Sequence, residues 1–529
     1  MVAMGGTVKP RILVLKNFRI VDEASDFKGS VLVEGGRIKK ICTDKAAGGS
    51  GPGDRDPGLG DAEIEQALGR ADMVIDGGES AGKQGLTLMP AFVDLHAHFR
   101  DPFCRGARVP EKETLESASL AAAAGGYGTV VCMANTDPVI DTIDKAAVLQ
   151  ERAAALGLID LYPVLSLTRG MEGRELSEIT ELPSANLPPK NPPALKAGPG
   201  PDGPGARTCG PVRLLSEDGK DPADDGLFLA ALAEGRRTGL PLSCHCDAGG
   251  PEAERAKRRG EPRAVWSRIE ENNAVRRALD LAARAGAKIH IAHVSTREAM
   301  EMIGELKTAH AAGRAAAAPG FSLSCEVSPH HIACTEDDAR RLGEGSFGRV
   351  NPPLRDDADR RALAAAIAGG LVDAIATDHA PHTESDKAAG APGFTGLETA
   401  FAVCYTTLVR PPAAGAGQAP VLSLSRLSAL MSAGPSRILG LAGNRGSFGL
   451  APPEMAPPET APPEGGLPLP RGRIVEGWKA DFCIADLNAP WIVDPRDFMS
   501  RGKNSPFAGR ELWGKIILTI RNGKVVYQR

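Results

Sequence analysis

Between Leu88 and Gly440 the chain alternates eight short apolar runs with Ala-rich helical patterns, which narrows the fold more than any other feature. The runs are LMPAFVDLH (from 88), GTVVCMAN (from 128), IDLYPVLS (from 159), PVRLLSED (from 211), LPLSCHC (from 240), KIHIAHV (from 288), FSLSCEV (from 321) and LVDAIATD (from 371). Between them lie amphipathic stretches such as KETLESASLAAAAGG, DGLFLAALAEGRRTG and IEENNAVRRALDLAARAG. Strands that alternate with helices build parallel sheets, and eight such units close into a (β/α)8 barrel. In that fold the reacting groups sit at the C-terminal strand ends, so polar residues that end a run become candidates.

Outside this stretch the texture changes. RILVLKNFRIV, SVLVEGGRIKKI and MVIDGG at one end, and ADFCIADL and KIILTIRNGKVVYQR at the other, are β-rich runs broken by turn residues. Gly35-Gly36 and Asn522-Gly523 have the composition of tight hairpin turns. The expected class is therefore α/β, a TIM-type barrel with a small β-sandwich domain built from both ends of the chain. The expected layout is a β-domain over 8–87 and 471–529, a barrel over 88–445 with an insertion at 183–208, and a Pro-rich linker at 446–470.

Gly (62) and Pro (42) make up about a fifth of the 529 residues, against roughly 12% in average usage. The excess is local, in Gly48–Gly60, Leu187–Gly205 and Ala451–Pro470, where few large apolar side chains are available to offset chain entropy. These read as flexible insertions. The net charge of −4 gives no support for nucleic acid or an anionic membrane as a partner. No 18-residue apolar run is present, and the ten cysteines form no disulfide or CxxC framework. A reduced, cytoplasmic protein is expected.

The first barrel run ends in Asp94-Leu95-His96-Ala97-His98-Phe99-Arg100. Alternation along a strand puts Asp94, His96, His98 and Arg100 on one face. Two imidazoles so placed can both reach one Zn²⁺ at roughly 2.0–2.1 Å, although a hydrogen-bonded histidine pair has the same pattern. The other strand ends decide between them. The fourth run ends in Glu217-Asp218, the fifth carries His245, the sixth ends in His293 and the eighth in Asp378. Four histidines and two carboxylates at one end of a barrel suffice for two divalent ions, with one carboxylate bridging. Such a pair supplies a hydroxide near neutral pH, and Asp378 can take its proton and return it to a leaving nitrogen. This describes hydrolysis of an amide or ester. Of the remaining histidines, His290, three residues before His293, is expected to face the opposite side and pack. His310 is expected in solvent, His330 and His331 in supporting roles, and His382 is favoured over His379 to touch a ligand.

The ordered set DLHAHFRDP, VVCMANTDP, SEDG, CHCD, HIAHVST, CEVSPHH, RVNPPLR and ATDHAPH resembles the dihydroorotases of the amidohydrolase superfamily from Met89 to Gly440. The resemblance implies reversible cyclisation of N-carbamoyl-L-aspartate to L-dihydroorotate in pyrimidine synthesis. It assigns His96 and His98 to one zinc, His245 and His293 to the other, Asp218 to the bridge, and Asp378 to ligation and proton transfer. It assigns substrate contacts to Arg100, Asn135, Asn351 and His382. The Arg100 fork suits a substrate carboxylate, and backbone in a mobile Gly393–Gly396 segment would help to grip the ring.

Three departures stand out. Phe103 replaces the family's usual Gly after Arg-Asp-Pro, Glu217-Asp218 replaces an Asp pair, and no lysine lies in Val212–Asp218 to form a carboxylated bridge. The last favours the Asp-bridged branch, which implies a homo-oligomer and association with aspartate transcarbamoylase. Two alternatives remain at this point. A hydantoinase, dihydropyrimidinase or allantoinase shares the metal site but binds substrates without dihydroorotate's carboxylate. An inactive scaffold for the transcarbamoylase would have lost ligands, and all six positions are intact.

Overall fold

The computed structural model describes residues 10–44, 58–78, 85–101, 112–184, 212–219, 221–246, 251–410, 420–442 and 469–529. Phe103 and most of the three Gly/Pro-rich segments lie outside the described residues.

Eight parallel strands form the barrel: β1 (Phe92–Ala97), β2 (Tyr127–Cys132), β3 (Asp160–Pro163), β4 (Leu215–Ser216), β5 (Leu242–Cys244), β6 (Lys288–Ile291), β7 (Ser322–Val327) and β8 (Ala374–Ile375). They pair as a three-stranded sheet β1-β2-β3 and a five-stranded sheet β8-β7-β6-β5-β4. Parallel bridges Leu165↔Leu215 and Ala97↔His379 join the two sheets on both sides and complete the barrel. The connecting helices are bounded by their own local caps. Asp225–Thr238 is capped by the Asp224 side chain and stopped by Gly239 at φ 74°, and Arg263–Ala285 ends at Gly286 at φ 63°.

The first apolar run, expected as one strand, is two. Thr87–Pro90 pairs with Phe482–Asp486 in the β-domain, and only after Ala91 does the chain enter the barrel as β1. Both halves are buried, so a continuous apolar run carried no mark of the change of sheet. The β-domain is one eight-stranded sheet drawn from both ends of the chain. Leu13, Leu15, Phe18 and Ile20 from one end pack with Phe482, Ile484, Leu518 and Ile520 from the other in a single cluster. On the opposite face Val14 and Leu32 pack against Ile64 and Ala67 of the helix Gly58–Leu68. The turns at Gly35-Gly36 (φ 59° and 87°) and Asn522-Gly523 (φ 50° and 73°) hold both central residues at positive φ, as two-residue hairpins with right-handed strand twist require.

Domain and barrel are joined by charge. Asp160, at the start of β3, is fully buried and accepts hydrogen bonds from Arg471, Lys479 and Arg521, all from the C-terminal segment. The three cations hold its carboxyl well below the usual carboxylate range, against the effect of burial. No helix among the described residues is long and apolar enough to cross a membrane.

Candidate metal centre

The strand ends meet at one mouth. Single ligand atoms of His96, His98 and Asp378 all lie within 4.8 Å of one another, and all three residues are buried. Asp378 Oδ1 stands 3.3 Å from His98 Nε2 and 3.7 Å from His96 Nε2. Asp218 joins from β4, with Oδ1 3.2 Å from His96 Nε2 and Oδ2 3.6 Å from His98 Nδ1. The rings of His245 and His293 are 4.3 Å apart, and that of His293 is 5.0 Å from His96. The six expected ligands are thus contiguous. Three form the tight group, and Asp218, His245 and His293 adjoin it.

Backbone geometry aims these side chains. Arg100 (φ 54°), Asp218 (φ 23°), His293 (φ 29°) and Asp378 (φ 45°) all occupy left-handed conformations that residues with a Cβ rarely adopt. Each lies just past the end of its strand, where the chain must turn sharply from sheet to loop. Strain of this kind persists where surrounding structure over-determines it, and it gathers at functional sites. For Asp378 the surrounding contacts are visible. Asp94, fully buried beneath it, accepts hydrogen bonds from Thr377 N (2.9 Å), Thr377 Oγ1 (2.5 Å) and His96 N (3.2 Å). This ties the end of β8 to β1. Burial, only partly countered by these bonds, pushes the Asp94 carboxyl up to about 7.

The donor set fits divalent cations. His96 Nδ1 and Nε2, Asp218 Oδ1, His245 Nδ1 and both His293 ring nitrogens are buried without a hydrogen-bond partner among the described residues. Buried polar atoms are rarely left so; each neutral imidazole carries one ring lone pair, so His96, His245, His293 and Asp218 each offer a donor suited to a metal ion. Burial, with His245 and His96 beside it, lowers the His293 pKa far below its usual range, which keeps the ring neutral. Burial opposes ionisation of Asp218 and Asp378, but the surrounding histidines outweigh it and hold both carboxyls well down. Neutral imidazole and carboxylate are the forms that bind metal. At His96 burial works against the proton, but Asp218 and Glu326 outweigh it and raise the pKa well above its usual range, so a metal there would displace a proton.

The four expected substrate contacts are placed differently from one another. Arg100 is near Asp218 and Asp378, and its Nε is buried without a hydrogen-bond partner among the described residues. His382 donates from Nε2 to Pro392 O (2.9 Å), which leaves Nδ1 buried and free; burial and Arg100 push its pKa down to about 3. Asn135 has both ends engaged by ligands, with Nδ2 donating to Asp218 Oδ2 at 2.5 Å and Oδ1 2.9 Å from His98 Nδ1. Asn351 Oδ1 accepts from Arg263 Nη2 at 3.0 Å.

Two expectations need correction. Gly393–Gly396 is pinned rather than free to grip. Gly393 O accepts from Lys387 Nζ (2.9 Å) and Asn504 Nδ2 (3.2 Å), Phe394 O from Ala380 N, while Thr395 N donates to Asn504 O and Gly396 N to His379 Nδ1. His290 does not face away from the site. Its Nε2 lies 3.1 Å from Glu326 Oε2, and Glu326 Oε1 lies 3.4 Å from His96 Nδ1. The positive φ of His293 breaks the alternation on which the opposite-face expectation rested. His310 is exposed at the end of its helix. His330 and His331 share the Ser328 hydroxyl, and His379 is fully buried with Nε2 3.6 Å from Glu113.

Glu326, absent from the sequence-derived site, had a readable signal. Ser322, Ser324 and Glu326 alternate with Leu323, Cys325 and Val327, so one face of this buried strand is polar.

Residues 87–449 match the Amidohydrolase family. A dihydroorotase of Clostridium botulinum is 32% identical over 98% of this chain and 100% of its own length. One from Aquifex aeolicus is 30% identical over 98% and 99%. Among solved structures, an L-hydantoinase (dihydropyrimidinase) from Arthrobacter aurescens superposes with a TM-score of 0.69 at 22% identity, covering 98% of this chain and 96% of that one. That likeness shows the shared fold.

Proposed function

Because the chain belongs to the amidohydrolase family and is a hydrolase acting on cyclic amides, we propose that it is a dihydroorotase, interconverting N-carbamoyl-L-aspartate and L-dihydroorotate in pyrimidine synthesis. The observation that carries the reading is Arg100, half-buried beside the ligand group, with a buried Nε that no acceptor among the described residues satisfies. A planar cation beside the ligand group suits a carboxylate, which dihydroorotate has and hydantoin lacks. Full-length relatives named dihydroorotase support the same substrate.

Two zinc ions are proposed, held by His96, His98, His245, His293, Asp218 and Asp378. When bound, such ions activate water and polarise the substrate carbonyl. The chain's own groups do the rest. Asp378, ionised at the mouth, takes the proton from the attacking water and returns it to the ring nitrogen as the amide opens. Arg100 orients the carboxylate, and His382 offers Nδ1 as an acceptor beside it. Asn135 acts through His98 and Asp218, holding one ring and one carboxylate in register. A homo-oligomer and docking to aspartate transcarbamoylase belong to the same reading, from the sequence resemblance alone.

The test is turnover of L-dihydroorotate, hydantoin and allantoin by purified protein, with and without a chelator. Dihydroorotate should be the best substrate, and chelation should abolish its turnover. Faster opening of hydantoin or allantoin would replace this reading with the hydantoinase or allantoinase one.

A further inference from the structure

Below the ligand group the barrel interior holds polar residues that the proposed reaction does not use. Barrels of this class usually fill that space with branched aliphatic side chains. Here β7 contributes Glu326 and Ser324, and β6 contributes His290. All three are at most 1% exposed, and His96 above them is 2% exposed. Glu326 stands between two rings, 3.4 Å from His96 Nδ1 through Oε1 and 3.1 Å from His290 Nε2 through Oε2. His290 Nδ1 in turn lies 2.7 Å from Ser324 Oγ. Neither Glu326 contact is aligned as an ideal hydrogen bond, and contacts of this kind commonly tighten when a site fills.

We propose that Glu326, oriented by His290 and Ser324, is a positioning residue that fixes His96 in the tautomer presenting Nε2 to a metal ion. One proton arrangement satisfies every member. The Ser324 hydroxyl donates to His290 Nδ1, His290 Nε2–H donates to one Glu326 oxygen, and His96 Nδ1–H donates to the other. His96 Nε2 then carries its lone pair toward Asp218 Oδ1 at 3.2 Å and Asp378 Oδ1 at 3.7 Å, where the ligand group converges. A buried carboxylate needs such partners to remain ionised, and here both of its oxygens face a ring N–H. The two histidines of the first strand are held by different means. His98 Nδ1 has the neutral amide of Asn135 at 2.9 Å with Asp218 Oδ2 further off at 3.6 Å, whereas His96 Nδ1 faces the Glu326 carboxylate. The inference rests on the reading that His96 holds a metal.

The experiment measures zinc uptake by metal-stripped wild type, Glu326→Gln and His290→Gln, in competition with a chromophoric chelator. Isotope-labelled histidine NMR of the metal-free proteins reports the His96 tautomer. Glu326→Gln should bind zinc about 10–100-fold more weakly, as outer partners of ligating histidines typically do when replaced, with loss of the Nδ1-protonated His96 signal. His290→Gln should weaken zinc in the same direction by less, and it carries the test if Glu326→Gln does not fold. A packing role alone would lower the melting temperature of the metal-free protein without moving the tautomer signal or the affinity. Folded variants with wild-type zinc affinity and an unchanged His96 tautomer would overturn the proposal. A wild-type protein that takes up no zinc would overturn the metal reading beneath it.

Discussion

Asn135 Oδ1 lies 2.9 Å from Nδ1 of His98, the ring nitrogen opposite the one that stands 3.3 Å from Asp378. With Asn135 Nδ2 bonded to Asp218, one amide fixes the orientation of two expected ligands. Asn135→Ala should therefore act on metal and rate together. Loss of about 10–100-fold in kcat/KM, with a parallel fall in zinc affinity, is expected from paired kinetics and metal titration. A rise in KM alone would mean that Asn135 touches substrate instead.

Asp378→Asn keeps shape and removes charge. The fold should survive, because the Asp94–Thr377 bonds that hold the end of β8 do not involve the Asp378 side chain. Turnover should fall by at least about 100–10,000-fold, the range of a lost general acid–base group, in a protein with a near-normal circular dichroism melt. Near-normal turnover would remove Asp378 as the proton carrier.

Arg100→Met separates substrates. Hydrogen bonds to charged groups contribute about 1.5–3 kcal/mol, so KM for dihydroorotate should rise about 10–100-fold. Any slow opening of hydantoin, which offers no carboxylate, should change far less. Equal effects on both substrates would show that Arg100 serves the ligand cluster rather than the carboxylate.

Lys387 gives a pH dependence outside the metal group. Fully buried, it donates to Arg349 O (2.8 Å), Ala391 O (2.7 Å) and Gly393 O (2.9 Å), and no carboxylate partner is recorded for it among the described residues. Burial and the neighbouring Arg349 guanidinium push its pKa down to about 8, from 10.5. Between those values the unfolded chain binds the proton and the folded chain does not. Its contribution to stability therefore rises as pH climbs from about 8 to 10.5. Urea midpoints across that range should show the rise in wild type and lose it in Lys387→Met.

Asp160→Ala removes the carboxylate that Arg471, Lys479 and Arg521 share, with Asp481 Oδ2 still 3.2 Å from Lys479 Nζ. Removing one partner of a buried ion pair costs about 3–5 kcal/mol. Chemical denaturation should register that loss. Limited proteolysis should cut the C-terminal segment first, since all three cations belong to it.

Much of the architecture was legible because it depends on local rules. Apolar runs between helical patterns marked eight barrel strands, and Gly35-Gly36 and Asn522-Gly523 marked hairpins. The candidate site was legible wherever a chemically expensive residue ended a strand, as at His96, His98, Asp218, His245, His293 and Asp378. It was less legible where a role depends on what lies across the barrel. Asn135 was expected to touch substrate, and its hydrogen bonds to His98 and Asp218, just past β1 and β4, came into view only with the closed barrel. The polar face of β7 was visible, whereas its pairing with His96 required the closed barrel.

The sequence by itself determined which residues could carry charge and lone pairs, and on which face of each strand they begin, because alternation is a property of the backbone. Only the tertiary structure decided where the strand ends turn. Positive φ at Arg100, Asp218, His293 and Asp378 re-aims four side chains, a conformation their own residue types disfavour and only long-range contacts can sustain. Closure of the barrel likewise set His290 and Glu326 beneath His96, since residues far apart in sequence become neighbours only when the first and last strands meet.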